Sequence, residues 1–380
     1  MRIVQVTPYY PPHTGGIERY VHNLGRALAD RGHEVTVLTA NIPEGNPVEN
    51  DNGVVVKRYA CLACPFSDPF VPSFFRPSEN LVGADILHVH NAYSAAALSA
   101  AIAWKESGIP TVLTHHGQHM FGDPIRDLFV TLYRKTVERW LVNRMDRIVT
   151  LSPSDAEYVS TFGVSREKIS IIPNAIRSGD FLPYMARDTT GFEKAYGLEG
   201  KKRVLFVGQI STRKGVDTLV RAVDLIVNEQ GRDNLIFLFI GDGDYRDKAR
   251  ELARSYHIDT YVRFPGTVAF QDLVSAYLSS DAYVLPSLSE GMPTVILEAM
   301  FFGLPIITTN LPCIRDNFGD HAVLVPPRDE HTLAYVIPEL LDDAARCQQL
   351  STRGRELVRS NYTWDSVVLA YERLYEQMLG

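Results

Sequence analysis

Residues 281–300 read Asp281-Ala282-Tyr283-Val284-Leu285-Pro286-Ser287-Leu288-Ser289-Glu290-Gly291-Met292-Pro293-Thr294-Val295-Ile296-Leu297-Glu298-Ala299-Met300. The apolar run 282–285 ends at Pro286, and residues 294–301 carry helix-forming side chains, so the stretch predicts strand, turn and helix. Glu290 then lies in the turn, and Glu298 about two helical turns further along. The first N–H groups of a helix have no intrahelical partner and point at whatever the turn holds, which suits an anion or a phosphate. A carboxylate accepts hydrogen bonds from a pair of vicinal hydroxyls. One carboxylate for a sugar, exposed amides for a phosphate and a second carboxylate for a ribose together describe a nucleotide-sugar pocket. Two glutamates at this spacing on a surface helix can also be plain solvated charges. The uncharged run between them, next to a strand end where open α/β sheets gather ligands, favours the pocket.

The same alternation extends in both directions. Residues 3–6, 35–39, 54–59, 86–89, 112–114, 148–151 and 169–172 read as strands in the first half; 204–207, 235–240, 262–264, 282–285, 306–308 and 323–325 do so in the second. Between them, Ile17, Val21, Leu24 and Leu28 recur at helical spacing, and Leu128, Leu132, Val137 and Leu141 form a looser stripe. Ser154-Asp155-Ala156-Glu157 has capping-box spacing and predicts a helix start. Trp364, Val367, Val368, Tyr371, Leu374, Tyr375 and Met378 mark a last helix. Alternation of this kind means parallel sheets covered by helices, an α/β fold. Residues 177–202 show no sustained period and read as a linker with one short helix, dividing residues 1–176 from 203–362.

Composition agrees. A chain of 380 residues is too long for one ordinary core, so two domains are expected. With 45% apolar and 22% charged residues it reads as a soluble globular protein. The small-residue run 92–104 is too short to span a bilayer. The N-terminus reads as a strand halted by Pro8, Pro11 and Pro12, with no signal peptide, which predicts a cytoplasmic protein. A formal charge of −7 argues against a nucleic-acid partner.

Further motifs fall at domain-scale spacing. Met1-Arg2-Ile3-Val4-Gln5-Val6-Thr7-Pro8 leads into Gly15-Gly16-Ile17-Glu18. Asp85-Ile86-Leu87-His88-Val89-His90, Thr114-His115-His116-Gly117, Ile172-Pro173-Asn174, Val207-Gly208-Gln209 and Arg213-Lys214-Gly215 follow in order. With the two glutamates separated by seven residues, and glycine after the first, the chain resembles the retaining glycosyltransferases of family 4 (glycosyl transferases group 1) nearly end to end. The resemblance implies the GT-B fold, two Rossmann-like domains facing each other across a cleft, with the helix of residues 363–380 crossing back to the N-terminal domain and hinges near Ile176 and Tyr362.

It also implies chemistry: a hexose moved from a UDP- or GDP-sugar to an acceptor hydroxyl, in glycan or glycolipid synthesis. Glu290 would bind the transferred sugar, amides from Gly291, Met292, Pro293 and Thr294 the sugar and phosphate oxygens, and Glu298 the ribose. The loop Gly266-Thr267-Val268 would take the base. Gly15 and Gly16, at a helix start carrying about half a positive charge, would approach the diphosphate, as would Gly208. Arg213 and Lys214 follow a strand end and can stabilise negative charge growing on the leaving phosphate. His116 matches the family's position beside the donor sugar, although the doubled histidine leaves His115 as an alternative. No covalent nucleophile, cofactor or metal is expected: Asp242-Gly243-Asp244 has the letters of a metal pair, but the family does not need one. Retention in such enzymes is commonly explained by same-face attack assisted by the leaving phosphate.

Rival readings stay open on the residues alone. His88, His90, His115, His116 and His119 crowd two neighbouring strand ends, the strongest basis for a metal-dependent hydrolase. A nucleotide-sugar-binding regulator without turnover would keep the same pocket. Cys61-Leu62-Ala63-Cys64 has redox-motif spacing but lacks a second pair for zinc, so reduced loop thiols are expected there. The acceptor falls to the N-terminal domain. There the loop 65–76 carries four phenylalanines, and Arg126, Arg134, Lys135, Arg139, Arg144 and Arg147 add positive charge. These suit an anionic membrane at the inner face of the cell and a lipid-linked acceptor. Phenylalanines that simply fill the core are the competing account.

Overall fold

Strands of a parallel sheet are covered on both faces, so they need apolar side chains throughout. The sequence supplies them: Leu235–Ile240 and Ala282–Leu285 are buried at every residue. The computed structural model describes residues 1–65, 68–76, 81–104, 107–117, 128 and 131–380. It divides into two compact units, Met1–Ile176 with Thr363–Gly380, and Arg177–Tyr362.

In the first unit the described strands are β1 (Arg2–Val6), β2 (Glu34–Ala40), β3 (Val48–Asp51), β4 (Val54–Tyr59), β5 (Ile86–His90), β6 (Thr111–His115), β7 (Arg147–Thr150) and β8 (Ile169–Ile171). They lie in the order β3-β4-β2-β1-β5-β6-β7-β8. The chain winds one way from β1 through β2 and the other way from β5, so the switch point falls between β1 and β5. Helix Gly16–Asp30 buries Tyr20, Val21, Leu24 and Leu28. The C-terminal helix Trp364–Leu379 packs beside it. Tyr371 and Tyr20 share a hydroxyl–hydroxyl hydrogen bond, and Glu372 Oε1 accepts from Arg31 Nε at 2.7 Å. The returning helix thereby completes the first unit's core.

The second unit holds β9 (Lys202–Val207), β10 (Leu235–Ile240), β11 (Val262–Gly266), β12 (Ala282–Leu285), β13 (Ile306–Thr309) and β14 (Val323–Val325). All pairings are parallel, in the order β11-β10-β9-β12-β13-β14, and the switch point lies between β9 and β12. Helix Thr294–Phe302 follows β12 as expected.

Four local readings need correction. β3 was not anticipated: it is a short edge strand, antiparallel to β4, with the polar sequence Val-Glu-Asn-Asp and partial exposure. The helix expected to open at Ser154 starts at Pro153 with Ser152 as its cap, whose hydroxyl accepts from Asp155 N–H at 3.1 Å. The stripe Leu128, Leu132, Val137 and Leu141 holds only at Leu141, because Leu128 is 68% and Leu132 61% exposed. The inward side instead carries Glu138, whose carboxylate is satisfied by His115 and Tyr158 at 2.9 and 3.1 Å, a buried polar face that no apolar period reveals. Residues 177–202 are part of the second unit rather than a bare connector. They contain helices Ser178–Phe181 and Thr190–Tyr196, and Phe181 stacks on Phe270 at 5.6 Å.

Candidate active site

At the switch point of the second unit, the segments after β9 and β12 are drawn together. Leu288 N–H donates to the Arg213 carbonyl at 2.8 Å, and Arg213 Nη1 donates to Ser289 O at 3.1 Å. The approach requires glycine at 215. Its φ is +69°, and a Cβ there would sit 2.0 Å from Pro286 O. Gly215→Ala should therefore lower stability by about 1–3 kcal/mol, the scale of a strained backbone, and push the two segments apart. Urea unfolding measures it, and a midpoint equal to wild type would show that the loops are not in fact locked.

The packing brings Lys214 onto Glu290, with Nζ 2.6 Å from Oε1 and the two side chains 13% and 6% exposed. Ser287 Oγ donates to the same oxygen at 2.6 Å, and Cys313 Sγ to the Glu290 carbonyl at 3.3 Å. An enclosed carboxylate needs such partners, since burying it alone is expensive. Glu290 is thus a fixed, ionic acceptor at a strand end with a cation already beside it. Gly291, Met292 and Thr294 supply amides where helix Thr294–Phe302 begins; Pro293 supplies none, since proline has no N–H, and serves as the helix cap residue.

Glu298 is 1% exposed, and its Oε2 accepts from the Tyr277 hydroxyl at 2.9 Å. It is no solvated surface charge. Burial, and then the carboxylates of Glu298 and Glu290, hold the Tyr283 phenol well above its ordinary pKa. Ser287 and Tyr277 escaped sequence reasoning. Ser287 had a signal, a hydroxyl closing the strand three residues before Glu290, whereas Tyr277 is an unremarkable helix residue placed by tertiary folding alone.

Gly208 opens that same segment after β9, and glycine lets it meet the loop after β10: a Cβ on Gly241 would fall 1.9 Å from Gly208 O. Asp242 in this loop is paired with Arg246 at 2.8 Å. Val268 is half-buried beyond β11, where Gly266 O accepts from Gly241 N–H at 2.9 Å, joining the Gly266–Val268 loop to the glycine loop.

In the first unit, Gly15 is the cap residue and Gly16 the first residue of helix Gly16–Asp30, which follows β1. A Cβ on Gly15 would fall 2.1 Å from Glu18 Oε2. The helix start therefore already faces an internal carboxylate, itself 3.0 Å from His13 Nδ1. Gly16 has open space where a side chain would be.

The histidines separate into two groups. His115 is fully buried and bonded to Glu138, while His116 is half-buried with Nε2 3.4 Å from His90 Nδ1 and Tyr20 edge-on at 4.8 Å. His88 is saturated by Tyr375 Oη and Thr114 Oγ1, each at 2.7 Å. Among the described residues no group of three or more His, Cys, Asp or Glu side chains is placed to hold a metal ion. The histidine cluster gives the hydrolase reading no support, because its described members are already committed to hydroxyls, to Glu138 or to each other. His119 lies outside the described residues.

Burial pushes the His88 pKa down to about 3, and burial together with His88 and His116 holds His90 well below its ordinary value. Both stay neutral in the folded protein, while an unfolded chain protonates them near pH 6.5. Stability should be complete above about pH 6.5 and fall as pH drops below it, by roughly 1.4 kcal/mol per pH unit for each histidine. Urea midpoints measured between about pH 7 and pH 5 check this, and His88→Asn should remove one proton's share of the slope. A pH-independent midpoint would mean that these rings are not held neutral.

The profile of Glycosyltransferase Family 4 matches residues 14–178, and that of Glycosyl transferases group 1 matches residues 189–357. The chain is 26% identical over 403 residues to an uncharacterized glycosyltransferase from Methanocaldococcus jannaschii, covering 100% of both. It is 28% identical to the N-acetyl-alpha-D-glucosaminyl L-malate synthase of Bacillus anthracis, covering 97% of this chain and 95% of that one. Among solved structures, Anabaena HepE in complex with UDP-glucose superposes with a TM-score of 0.80 at 16% identity, covering 99% of this chain and 100% of that one.

Proposed function

The chain belongs to the family 4 glycosyltransferases, retaining enzymes of the GT-B fold, and from that premise we propose that it moves a hexose from a nucleoside diphosphate sugar to an acceptor hydroxyl without a metal. The observation that carries the proposal is the Lys214–Glu290 pair, 2.6 Å apart at the switch point of the second unit. A donor seated there would find Glu290 for its sugar hydroxyls and Lys214 and Arg213 for its diphosphate. The amides of Gly291, Met292 and Thr294 would reach phosphate oxygens, and Glu298 the ribose. Positive groups fixed before the bond breaks stabilise charge as it grows on the leaving phosphate. The Gly266–Val268 loop would take the base, and Gly208 lets the backbone approach the diphosphate. In the first unit, His116 is the histidine proposed to meet the sugar, since His115 is occupied by Glu138.

UDP-glucose is the first donor to test, because the Anabaena protein is solved with it. The experiment is release of free nucleotide from UDP- and GDP-sugars without acceptor, with and without EDTA. Slow release from one donor, insensitive to chelator, is the expected result. Loss of release in EDTA, restored by a divalent metal, would overturn the metal-free reading, and binding without any release would overturn turnover itself.

We further propose that the first unit takes the acceptor, and that the acceptor is lipid-linked at the inner face of the cell membrane. Leu132 and Trp140, 61% and 41% exposed, share residues 131–144 with the exposed cations Lys135 and Arg139, and Arg144 lies over the Trp140 ring at 5.0 Å. Exposed apolar groups beside cations suit an anionic bilayer surface. In the loop 65–76, Phe74 is core, packed on Tyr59 and Trp104, while Phe70 and Phe75 are partly exposed; Phe66 and Arg126 lie outside the described residues. No helix among the described residues is long and apolar enough to cross a membrane. Sedimentation with vesicles of anionic and of neutral lipid tests the contact, and equal recovery with both would refute it.

A further inference from the structure

Cysteines at unrelated positions usually act as small apolar side chains, and two of the four here do so. Cys313 is buried against the Glu290 carbonyl, and Cys347 is half-buried against Leu340 O at 3.0 Å. Cys61 and Cys64 differ. Their Sγ atoms are 3.3 Å apart, with Cys64 exposed to solvent and Cys61 half-buried against the core of the first unit.

The backbone between the two thiols is tied in place. Leu62 N–H donates to Phe70 O at 2.9 Å and Phe70 N–H to Ala63 O at 2.8 Å, an antiparallel bridge pairing Ala63 with Phe70. Cys61 Sγ also lies 3.0 Å from Ala63 O. The side chains therefore converge while their peptide link is anchored, and a bonded S–S distance of about 2.05 Å lies little more than an ångström away.

We propose that Cys61 and Cys64 form a reversible thiol–disulfide site, oxidised by low-molecular-weight disulfides, in the loop that follows β4. Exposure assigns the order of events. The Cys64 thiolate attacks one sulfur of an external disulfide RSSR, forming a Cys64–S–S–R bond and releasing one RSH. The Cys61 thiolate then attacks Cys64 Sγ, forming the Cys61–Cys64 bond and expelling the second RSH. Both cysteine protons leave on the two RSH molecules, and the electron pair passes to RSSR. Burial, with the neighbouring Cys64, raises the Cys61 thiol pKa, which suits a partner that reacts second and only within the protein.

The site borders the start of the chain's first loop. The Tyr9 phenol is pushed up to about 12 by burial, then by Cys64, Asp68 and Cys61 around it, and its ring stacks on His13 at 4.0 Å. His13 in turn faces Glu18, which covers Gly15. The sulfur pair is thus linked to the Gly15–Gly16 turn through one ring stack, Tyr9 on His13, and one ion pair, His13 with Glu18.

The test uses the full-length reduced protein equilibrated with glutathione and glutathione disulfide at stepped ratios, then alkylated and mapped by mass spectrometry. Wild type should lose alkylation at Cys61 and Cys64 together, in a peptide lighter by two hydrogens, while Cys313 and Cys347 still alkylate. Dithiothreitol should restore both thiols. Cys61→Ser should instead trap a stable glutathione adduct on Cys64, and Cys64→Ser should leave Cys61 largely unmodified. The proposal is overturned if wild type keeps the adduct without closing the ring, or if Cys313 or Cys347 oxidises before the pair does.

Discussion

Lys214→Ala should lower kcat by about 10²-fold or more, the scale of removing one preorganised group from a developing charge. The reason lies in timing. A cation that only held the ground-state diphosphate would strengthen donor and transition state alike, and its loss would appear mainly in KM. Lys214 is anchored before any donor arrives, by Glu290 at 2.6 Å and by the left-handed Gly215 that follows it. In the proposed role it would therefore be in place when the bond to the leaving phosphate stretches and negative charge grows. Donor affinity should weaken less than kcat. Arg213 is held differently, through Ser289 O, and its guanidinium presents a broader fork. Lys214→Arg should consequently recover little, because a planar fork does not reproduce a point charge on Glu290 Oε1. Steady-state kinetics with the donor identified by the nucleotide-release screen decides it, with thermal melting as the check on folding. A variant of normal kcat would refute the assigned role.

The strand ends that build this site were legible because parallel strands advertise themselves. Residues 235–240 are an unbroken apolar run, buried along its whole length, and 282–285 is another. Gly215 was legible only as a member of the Arg213-Lys214-Gly215 motif; that it and Gly241 stand where a Cβ would strike a neighbouring carbonyl emerges from the folded chain. Polar interiors were not legible. Glu138 sits on a helix face where an apolar stripe was expected, and only the folded chain brings His115 and Tyr158 to it. The same limit hid Tyr277, since nothing local to a helix residue announces a carboxylate 21 positions later. Strand β3 was missed because an edge strand needs no apolar face. Sequence pattern therefore marked the strand–turn–helix segment that carries the candidate carboxylates, whereas the hydrogen bonds that fix those carboxylates came from tertiary contact.

Glu298→Gln and Glu290→Gln should fail in different assays, because the two carboxylates are assigned to different parts of one donor. Glutamine keeps the shape of glutamate and removes its charge, so each substitution isolates the ionic share of a hydrogen bond, which roughly doubles its strength. Glu298 is 1% exposed, held by the Tyr277 hydroxyl inside helix Thr294–Phe302. Its partners on a donor would be ribose hydroxyls, present in the free nucleotide as well as in the sugar nucleotide. Glu298→Gln should therefore weaken nucleoside diphosphate binding itself. Glu290 lies in the turn before that helix with Lys214 and Ser287 on one oxygen, and its partners would belong to the transferred sugar. Glu290→Gln should leave nucleoside diphosphate binding near normal while cutting transfer. Losing the anion beside Lys214 does not remove the cation, so the diphosphate keeps its partner. Calorimetric titration of both variants with UDP and with GDP, alongside turnover of the intact donor, separates the cases. Equal loss of free-nucleotide binding in both variants would show that the division of labour is wrong. Unchanged turnover in both would place the sugar-nucleotide pocket elsewhere, since a carboxylate enclosed to this degree and touching the donor cannot lose its charge without changing the reaction.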